Sequence, residues 1–294
     1  MVRRAWGASR AMSPLVLGLA VLLAGPQTSH AGLPQAEAFV AEGRFIDALM
    51  ALNVVLAEET RSPRHEEAIW LAERLCSRIA SSSELLERYM DSYGMPVTEP
   101  VGAGVDQRAF SRWGFIDALN VVGAGFRWNE IAGSFQYEQA FARRTLAEYP
   151  DTARRAAAEY RVIRPGRNEP DAIHRWRREI VAYLDRHGDD SAPEVAIAHS
   201  TLGAVYEGLW AALATGEAFD AGHEASAYAD PPATDDESVA VRAEEYRLEA
   251  IRHYAEFLLS AVSSYAYSES SRVASRLRAL RRREADGPGI LCYD

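Results

Sequence analysis

Lysine is absent from this chain, and all 32 basic residues are arginines. Acidic residues number 42, so the formal net charge is -10 at pH 7. Proteins that bind nucleic acid without sequence preference need a positive field that attracts phosphates. The acidic balance therefore argues against nucleic acid as a partner, and against anionic lipid as the main partner.

Cysteine is also scarce, with Cys76 and Cys292 as the only two. Neither lies in a CxxC or CxxCH pattern, so zinc and c-type haem sites are not indicated. In an oxidising compartment the two thiols can form a disulfide, and separate buried or terminal thiols are the equal alternative. No metal and no cofactor is predicted.

No apolar run reaches the roughly 20 residues that span a bilayer. The apolar stretch over residues 13–24 is about a dozen residues long and follows the basic residues Arg3 and Arg4. Small residues then stand at Ser29 and Ala31, where a signal peptidase reads the chain. This pattern predicts a secretory signal peptide over residues 1–31, and an uncleaved membrane anchor is the alternative.

The expected mature chain starts at Gly32. Residue 26, where a lipoprotein signal would have its lipidated cysteine, is Pro26. We therefore expect a soluble, non-lipidated protein in the bacterial periplasm or outside the cell, without an integral membrane span after cleavage. Loss of three arginines leaves 29 against 42 acidic residues, a net charge of -13.

Apolar residues recur at helical spacing along most of the chain, and alternating runs of β-branched residues are absent. Residues 217–237 contain Gly222, Pro231 and Pro232 among many acids. This segment is long for a connection between helices, and we expect it to be mobile rather than functional. The periodicity predicts helices at 34–58, 65–80, 82–93, 107–122, 129–148, 151–163, 169–187, 192–216, 237–264 and 268–284, with a loop at 94–105.

Short segments repeat along the chain at a regular spacing. Phe45–Leu49 reads FIDAL and recurs as Phe115–Leu119, 70 residues later. A tetratricopeptide unit has about 34 residues, so this spacing corresponds to two units. Leu202–Tyr206 resembles the first helix of such a unit, in which a glycine permits close helix contact. Residues 245–258 resemble the second helix, with Ala250 at the small position and Tyr254 at the aromatic position.

Two helix junctions indicate which class of tetratricopeptide proteins the chain resembles. Tyr149–Ala157 and Tyr183–Glu194 resemble the junctions of periplasmic tetratricopeptide proteins, namely the barrel-assembly lipoprotein subunit and the Tol–Pal-associated coordinator. The resemblance implies an all-α, right-handed solenoid of antiparallel helix pairs that is irregular in its middle third. It divides the mature chain into N-terminal repeats at 32–93, a Gly/aromatic-rich segment at 94–148, C-terminal repeats at 149–285 and a tail at 286–294.

No pattern of an enzyme is present. The histidines form no HExxH, and no GxSxG elbow occurs. Gly123 and Gly125 imitate a dinucleotide fingerprint, but Trp128 stands where its third glycine belongs. We interpret these glycines as a helix break. The resemblance therefore implies a non-catalytic binding or scaffolding module of the cell envelope, whose partner is another envelope protein or a peptide.

Aromatic residues are interleaved with glycines over residues 108–141. Such a segment can line a concave binding site, although an ordinary aromatic core explains it as well. The alternative function is a cell-wall-active hydrolase or glycan-binding protein with its site near Trp128 and Glu130. The candidate binding residues of this region are Trp113, Arg127, Trp128, Glu130 and Tyr137.

The last predicted helix is rich in arginine. The simpler interpretation is the solvated outer face of a terminal helix, and the more specific one is a docking patch for an acidic partner. The arginines concerned are Arg272, Arg276, Arg278, Arg281, Arg282 and Arg283.

Overall fold

A computed structural model describes most of the chain and shows a mostly helical protein. The described residues are 32–58, 61–80, 119–120, 122–129, 134–165, 169–232, 235–260 and 267–285. They contain nine α-helices, one antiparallel hairpin and one 3-10 helix. The predicted signal peptide, the helix at 82–93, the loop at 94–105, residues 107–118 and the tail at 286–294 lie outside them.

The N-terminal part begins with three helices. They are α1 (Gly32–Ala41), α2 (Phe45–Leu56) and α3 (Pro63–Ala80). The apolar run over 34–58 is therefore two helices, separated where Gly43 adopts a positive φ of 75°. Glycine reaches this left-handed conformation at little cost, which explains why the turn forms there.

A short β-hairpin follows, where the periodicity predicted helix from residue 129 onward. Its strands are β1 (Phe126–Asn129) and β2 (Ser134–Tyr137), paired with Phe126 opposite Tyr137. The helix prediction is wrong at residue 129 and at residues 134–139. Gly123 and Gly125 adopt positive φ values of 78° and 68°, which break the preceding helix and lead into the strand.

Six further helices complete the described chain; α4 begins eleven residues later than predicted, and the bounds of the other five lie within a few residues of the predicted ones. Pro170 and Pro193 each stand at a helix start, where the missing N–H costs nothing. Gly216 ends its helix with a φ of 75°. The helices are α4 (Ala140–Glu148), α5 (Arg155–Val162), α6 (Pro170–His187), α7 (Pro193–Thr215), α8 (Asp236–Ser260) and α9 (Tyr267–Arg282).

Two hydrophobic cores organise these elements. The first joins α1, α2 and α3 to the hairpin and to Phe141 of α4. The second joins α6 to α9 and includes the 3-10 helix Ala225–Tyr228. Helix α5 lies between them, and Ala157 and Ala158 pack there against Trp70 of α3.

Helix α7 lies at the centre of the second core and packs most extensively on α8. Gly203 of α7 is so close to Tyr254 of α8 that an added Cβ would lie 2.6 Å from the tyrosine ring. The close contact that the sequence predicted at Gly203 is confirmed. No helix among the described residues is both long and apolar enough to cross a membrane.

Residues 217–232 pack on the second core, although the sequence predicted a mobile insertion. Tyr228 is fully buried, and the Phe219 ring meets it edge-on at 5.1 Å between centroids. Ala229 is buried beside it. The segment buries Tyr228 and Ala229, whereas its acidic residues Glu217 and Glu224 are exposed.

Candidate binding groove between helices α6 and α8

The aromatic region that the sequence indicated is only partly within the described residues. Trp113, Glu130 and the side chain of Trp128 lie outside them, so a hydrolase site near Trp128 and Glu130 stays a prediction of the sequence. The Arg127 side chain is 71% exposed and pairs with Glu138 at 2.8 Å. Tyr137 points the opposite way and is 3% exposed. The hairpin therefore places Arg127 and Tyr137 on different faces.

Tyr137 belongs to a buried polar cluster around Glu73 of α3. Its hydroxyl donates to Glu73 Oε2 at 2.6 Å, and the Ala142 N–H donates to the same oxygen at 2.9 Å. The Ser77 hydroxyl donates to Oε1 at 3.0 Å. Burial, together with the nearby Glu73 charge, raises the pKa of Tyr137 far above its usual value. This cluster fastens the hairpin and α4 to α3.

Cys76 lies one turn from Glu73 and is fully buried. Burial first, and then the charge of Glu73, raises the pKa of its thiol well above the usual value. The reactive thiolate form is therefore disfavoured at neutral pH. Cys292 lies outside the described residues, so its pairing with Cys76 stays a prediction.

A groove of about 480 Å³ opens between α6 and α8, over a floor that α7 contributes. This volume is within the usual range of ligand-binding clefts, which is roughly 300–1,000 Å³. Its walls carry charges of both signs around two tyrosines. The lining residues are Arg177, Arg178, Val181, Ala182 and Asp185 of α6, Tyr206 of α7, Asp230, and Arg242, Glu245, Tyr246 and Glu249 of α8.

The floor of the groove is a cluster of flat side chains. The rings of Tyr206 and Tyr246 are 5.8 Å apart between centroids. The Arg177 guanidinium lies 5.7 Å from the first ring and 5.6 Å from the second. Cation–π contacts of this kind favour a guanidinium over aromatic faces. The floor therefore offers aromatic faces to a bound segment.

Helix directions decide how the charges are distributed along the groove. Five residues connect α6 to α7, so the two helices run antiparallel. Helix α8 runs antiparallel to α7, because Tyr206 meets Tyr246 and the earlier His199 meets the later His253. Helices α6 and α8 therefore run parallel, and the N-terminal ends of their groove segments lie side by side.

The groove is consequently positive at one end and negative at the other. Arg178 and Arg242 lie at the first end, and Asp185 and Glu249 lie at the second. Arg242 pairs with Glu245 at 2.6 Å and Glu249 pairs with Arg252 at 2.5 Å, whereas Asp185 forms no ion pair within the part of the chain that the structure describes. Arg178 and Asp185 are seven residues apart on one helix, about 10.5 Å along its axis.

Asp230 closes the positive end. Its Oδ2 lies 2.5 Å from Arg177 Nη2 and 3.4 Å from Arg178 Nη1. The Asp230 N–H donates to the Tyr246 hydroxyl at 3.0 Å, and Arg177 Nη1 donates to the same hydroxyl at 3.3 Å. One residue of the 217–232 segment is thus fastened to both walls of the groove.

Histidines extend the row of rings at both ends of the two tyrosines. The His174 ring lies 6.4 Å from Tyr246 between centroids, and the His253 ring stacks on Tyr206 at 5.7 Å. Arg252 Nη2 lies 3.1 Å from His253 Nε2, and a guanidinium can only donate, so this nitrogen accepts. His253 Nδ1 therefore carries the proton and donates to His199 Nδ1 at 3.0 Å.

Burial lowers the pKa of both buried histidines. The pKa of His253 falls to about 3, through burial first and then through the positive charge of Arg252. The pKa of His174 falls to about 4, through burial first and then through Arg177. Both imidazoles are neutral at physiological pH. Within the described ranges no three His, Cys, Asp or Glu side chains are arranged to hold a metal ion.

Several arginines of α9 contact residues of this chain. Arg276 Nε donates to Glu207 Oε1 at 2.7 Å, and the buried Glu207 also accepts the Tyr254 hydroxyl at 2.7 Å. Arg272 pairs with Glu269, and Arg283, one residue past the end of α9, pairs with Glu244. These internal pairs use charges that a docking patch on α9 would need, so they favour the solvated outer face of a terminal helix.

The groove was missed at the sequence level because its residues come from three helices and one connection. The nearest signal was the acidic segment itself, whose Asp230 proved to lie on Arg177. Comparison of the chain with family models, with curated proteins and with solved structures yields no match, so the geometry of the groove carries the functional interpretation.

Proposed function

We propose that this chain is a non-catalytic protein-binding module of the bacterial cell envelope, and that the groove between α6 and α8 holds an extended segment of a partner protein. The observation that carries the proposal is the groove itself. It combines an aromatic floor with opposite charges at its two ends. Tyrosine and arginine are enriched at protein-binding surfaces, where aromatic faces bury apolar groups and charges fix orientation.

The length of the groove suits a short extended peptide. Arg178 and Asp185 are about 10.5 Å apart along α6. An extended chain covers about 3.3–3.6 Å per residue, so roughly three residues bridge the two charges. The partner segment would place an acidic group beside Arg178 and a basic group beside Asp185, with an apolar side chain over Tyr206.

The envelope assignment and the repeat architecture are supported by the sequence. The signal pattern of residues 1–31 predicts export. The spacing of the FIDAL segments and of the two junctions favours tetratricopeptide-like helix pairs, and the close approach of Gly203 to Tyr254 is of the kind those pairs use. In a solenoid of such pairs, one helix of each pair faces a shared concave surface, which suits the groove.

Charge reversals on a single helix test the proposal with a built-in control. Arg178 lines the groove, whereas Arg175 is exposed three residues earlier on α6 and does not line it. Tagged wild-type protein, Arg178→Glu, Asp185→Arg and Arg175→Glu would be isolated from the native envelope, and co-purified proteins would be quantified by mass spectrometry. We expect the same partner to be lost with the first two variants and retained with Arg175→Glu. Equal recovery with all variants would refute the groove as the binding surface.

A further inference from the structure

Three cationic or basic side chains surround one oxygen of Asp230. Arg177 and Arg178 approach Oδ2 at 2.5 Å and 3.4 Å, and His174 Nδ1 lies 3.9 Å from the same atom. All three belong to α6, at spacings of three and four residues, so they form one face of the helix. Asp230 comes from the connection between α7 and α8. The arrangement is an anion site that the chain fills with its own carboxylate.

The site is larger than the carboxylate that fills it. His174 is 5% exposed, and neither of its ring nitrogens has a hydrogen-bond partner. The Tyr228 backbone lies near the ring, but without hydrogen-bond geometry. A buried imidazole without a partner costs free energy, and such groups are rare in folded proteins. Its Nδ1 faces Asp230, where a better-placed acceptor would satisfy it.

The connection between α7 and α8 is long enough for Asp230 to leave its contacts on α6 and to return to them. Twenty residues separate Thr215 from Asp236, whereas antiparallel helices usually need about 2–8. Glu217 and Glu224 of this connection are exposed. Loop-closure cost grows only slowly with length, so a connection of this length can let Asp230 leave α6 without unfolding α7 or α8.

We propose that Asp230 is an intramolecular competitor, which occupies the anion subsite of His174, Arg177 and Arg178 until a carboxylate of the partner segment replaces it. This inference rests on the proposed function, because it concerns the positive end of the same groove. In the free protein, Asp230 therefore blocks the positive end of the groove. Binding then releases Asp230 from Arg177 and Arg178, while Tyr228 stays in the second core.

Removal of the competing charge tests the proposal. Asp230→Asn keeps the size of the side chain and its acceptor oxygen but removes the negative charge. The probe is the tripeptide Lys-Ala-Asp, which carries two carboxylates at one end and two amines at the other. If the closed arrangement outnumbers the open one ten to one, the apparent Kd of the wild type is about tenfold weaker than that of an open site. We expect Asp230→Asn to bind the tripeptide about tenfold more tightly in isothermal titration.

Controls separate competition from a merely structural contact. The amidated tripeptide Lys-Ala-Asn lacks carboxylates, so its weaker binding should be equal in wild type and Asp230→Asn. In the wild type, a saturating concentration of Lys-Ala-Asp should also increase hydrogen–deuterium exchange over residues 225–232. This second measurement uses only the wild-type protein, so it tests the proposal even if Asp230→Asn fails to fold.

Equal or weaker tripeptide binding by a folded Asp230→Asn would overturn the inference, as would unchanged exchange in the wild type at saturation. Neither result would contradict the proposed function, which is tested separately by loss of the envelope partner with Arg178→Glu. Conversely, tighter tripeptide binding together with unaffected envelope capture would reject the proposed function and retain the anion subsite.

Discussion

Replacement of Gly203 by alanine tests the close contact between α7 and α8 in the second core. In a helix interior, alanine is favoured over glycine by about 1 kcal/mol. Here the new Cβ would lie 2.6 Å and 2.7 Å from two ring carbons of Tyr254. That ring cannot move aside easily, because it is fully buried and its hydroxyl donates to Glu207 at 2.7 Å.

The gain in helix propensity and the cost of overpacking oppose each other, and their relative sizes decide whether the substitution raises or lowers the free energy of unfolding. Overpacking of a close-packed core costs about 1–3 kcal/mol. A Cβ nearly 1 Å inside ordinary contact belongs at the upper end of that range. After subtraction of the helix-propensity gain, we expect Gly203→Ala to lower the free energy of unfolding by about 1–2 kcal/mol.

Urea unfolding followed by far-ultraviolet circular dichroism measures this change, and a constant m-value shows that the unfolded state is unaltered. In a Tyr254→Ala background the ring is absent, so the same substitution should stabilise the protein by about 1 kcal/mol. Ala204→Gly, one residue away on α7, combines the propensity contribution with the loss of a half-buried methyl group and should destabilise by at least about 1 kcal/mol. A stabilising Gly203→Ala in the otherwise wild-type protein would refute the close contact between α7 and α8.

Two further predictions concern buried polar groups. Tyr137→Phe removes a donor from the buried Glu73 carboxylate and should lower the free energy of unfolding by about 1.5–3 kcal/mol; an unchanged urea midpoint would contradict this role. Stability should fall as the pH drops below about 6.5, because His253 and His174 titrate near 3 and 4 in the fold but near 6.5 when unfolded. The unfolded state then binds the extra protons, so each histidine contributes a slope of up to about 1.4 kcal/mol per pH unit between its two pKa values. Urea midpoints over this pH range test the slope, and His253→Gln should flatten it; an equally steep slope in that variant would exclude His253 as its source.

The helices could be predicted because their signals are local. Apolar residues at spacings of three and four mark the buried face of α3, and Pro170 and Pro193 mark the starts of α6 and α7. The Gly203 contact could also be predicted, since a glycine inside an apolar helix indicates close packing. These features depend on neighbours within one or two turns.

The hairpin and the groove depend on contacts that no local pattern shows. Strands of four residues are too short to display alternation, so Phe126 and Tyr137 were indistinguishable from helical apolar positions. The Glu73 cluster joins residues more than 60 positions apart. Arg177 and Asp230 are 53 positions apart and meet only because α7 and α8 fold back beside α6.

Site-specific photo-crosslinking in living cells tests the binding groove most directly. A photoreactive amino acid at Ala182, which is exposed and lines the groove, would be compared with the same group at Arg175, which is exposed two turns earlier on α6 and does not line the groove. The account predicts a discrete adduct from Ala182 with an exported protein, mapped to one short segment that has an acidic and a basic residue about three positions apart. It also predicts loss of this adduct with Arg178→Glu and no such adduct from Arg175. The same adduct from both positions, or an adduct from Ala182 that survives Arg178→Glu, would contradict it.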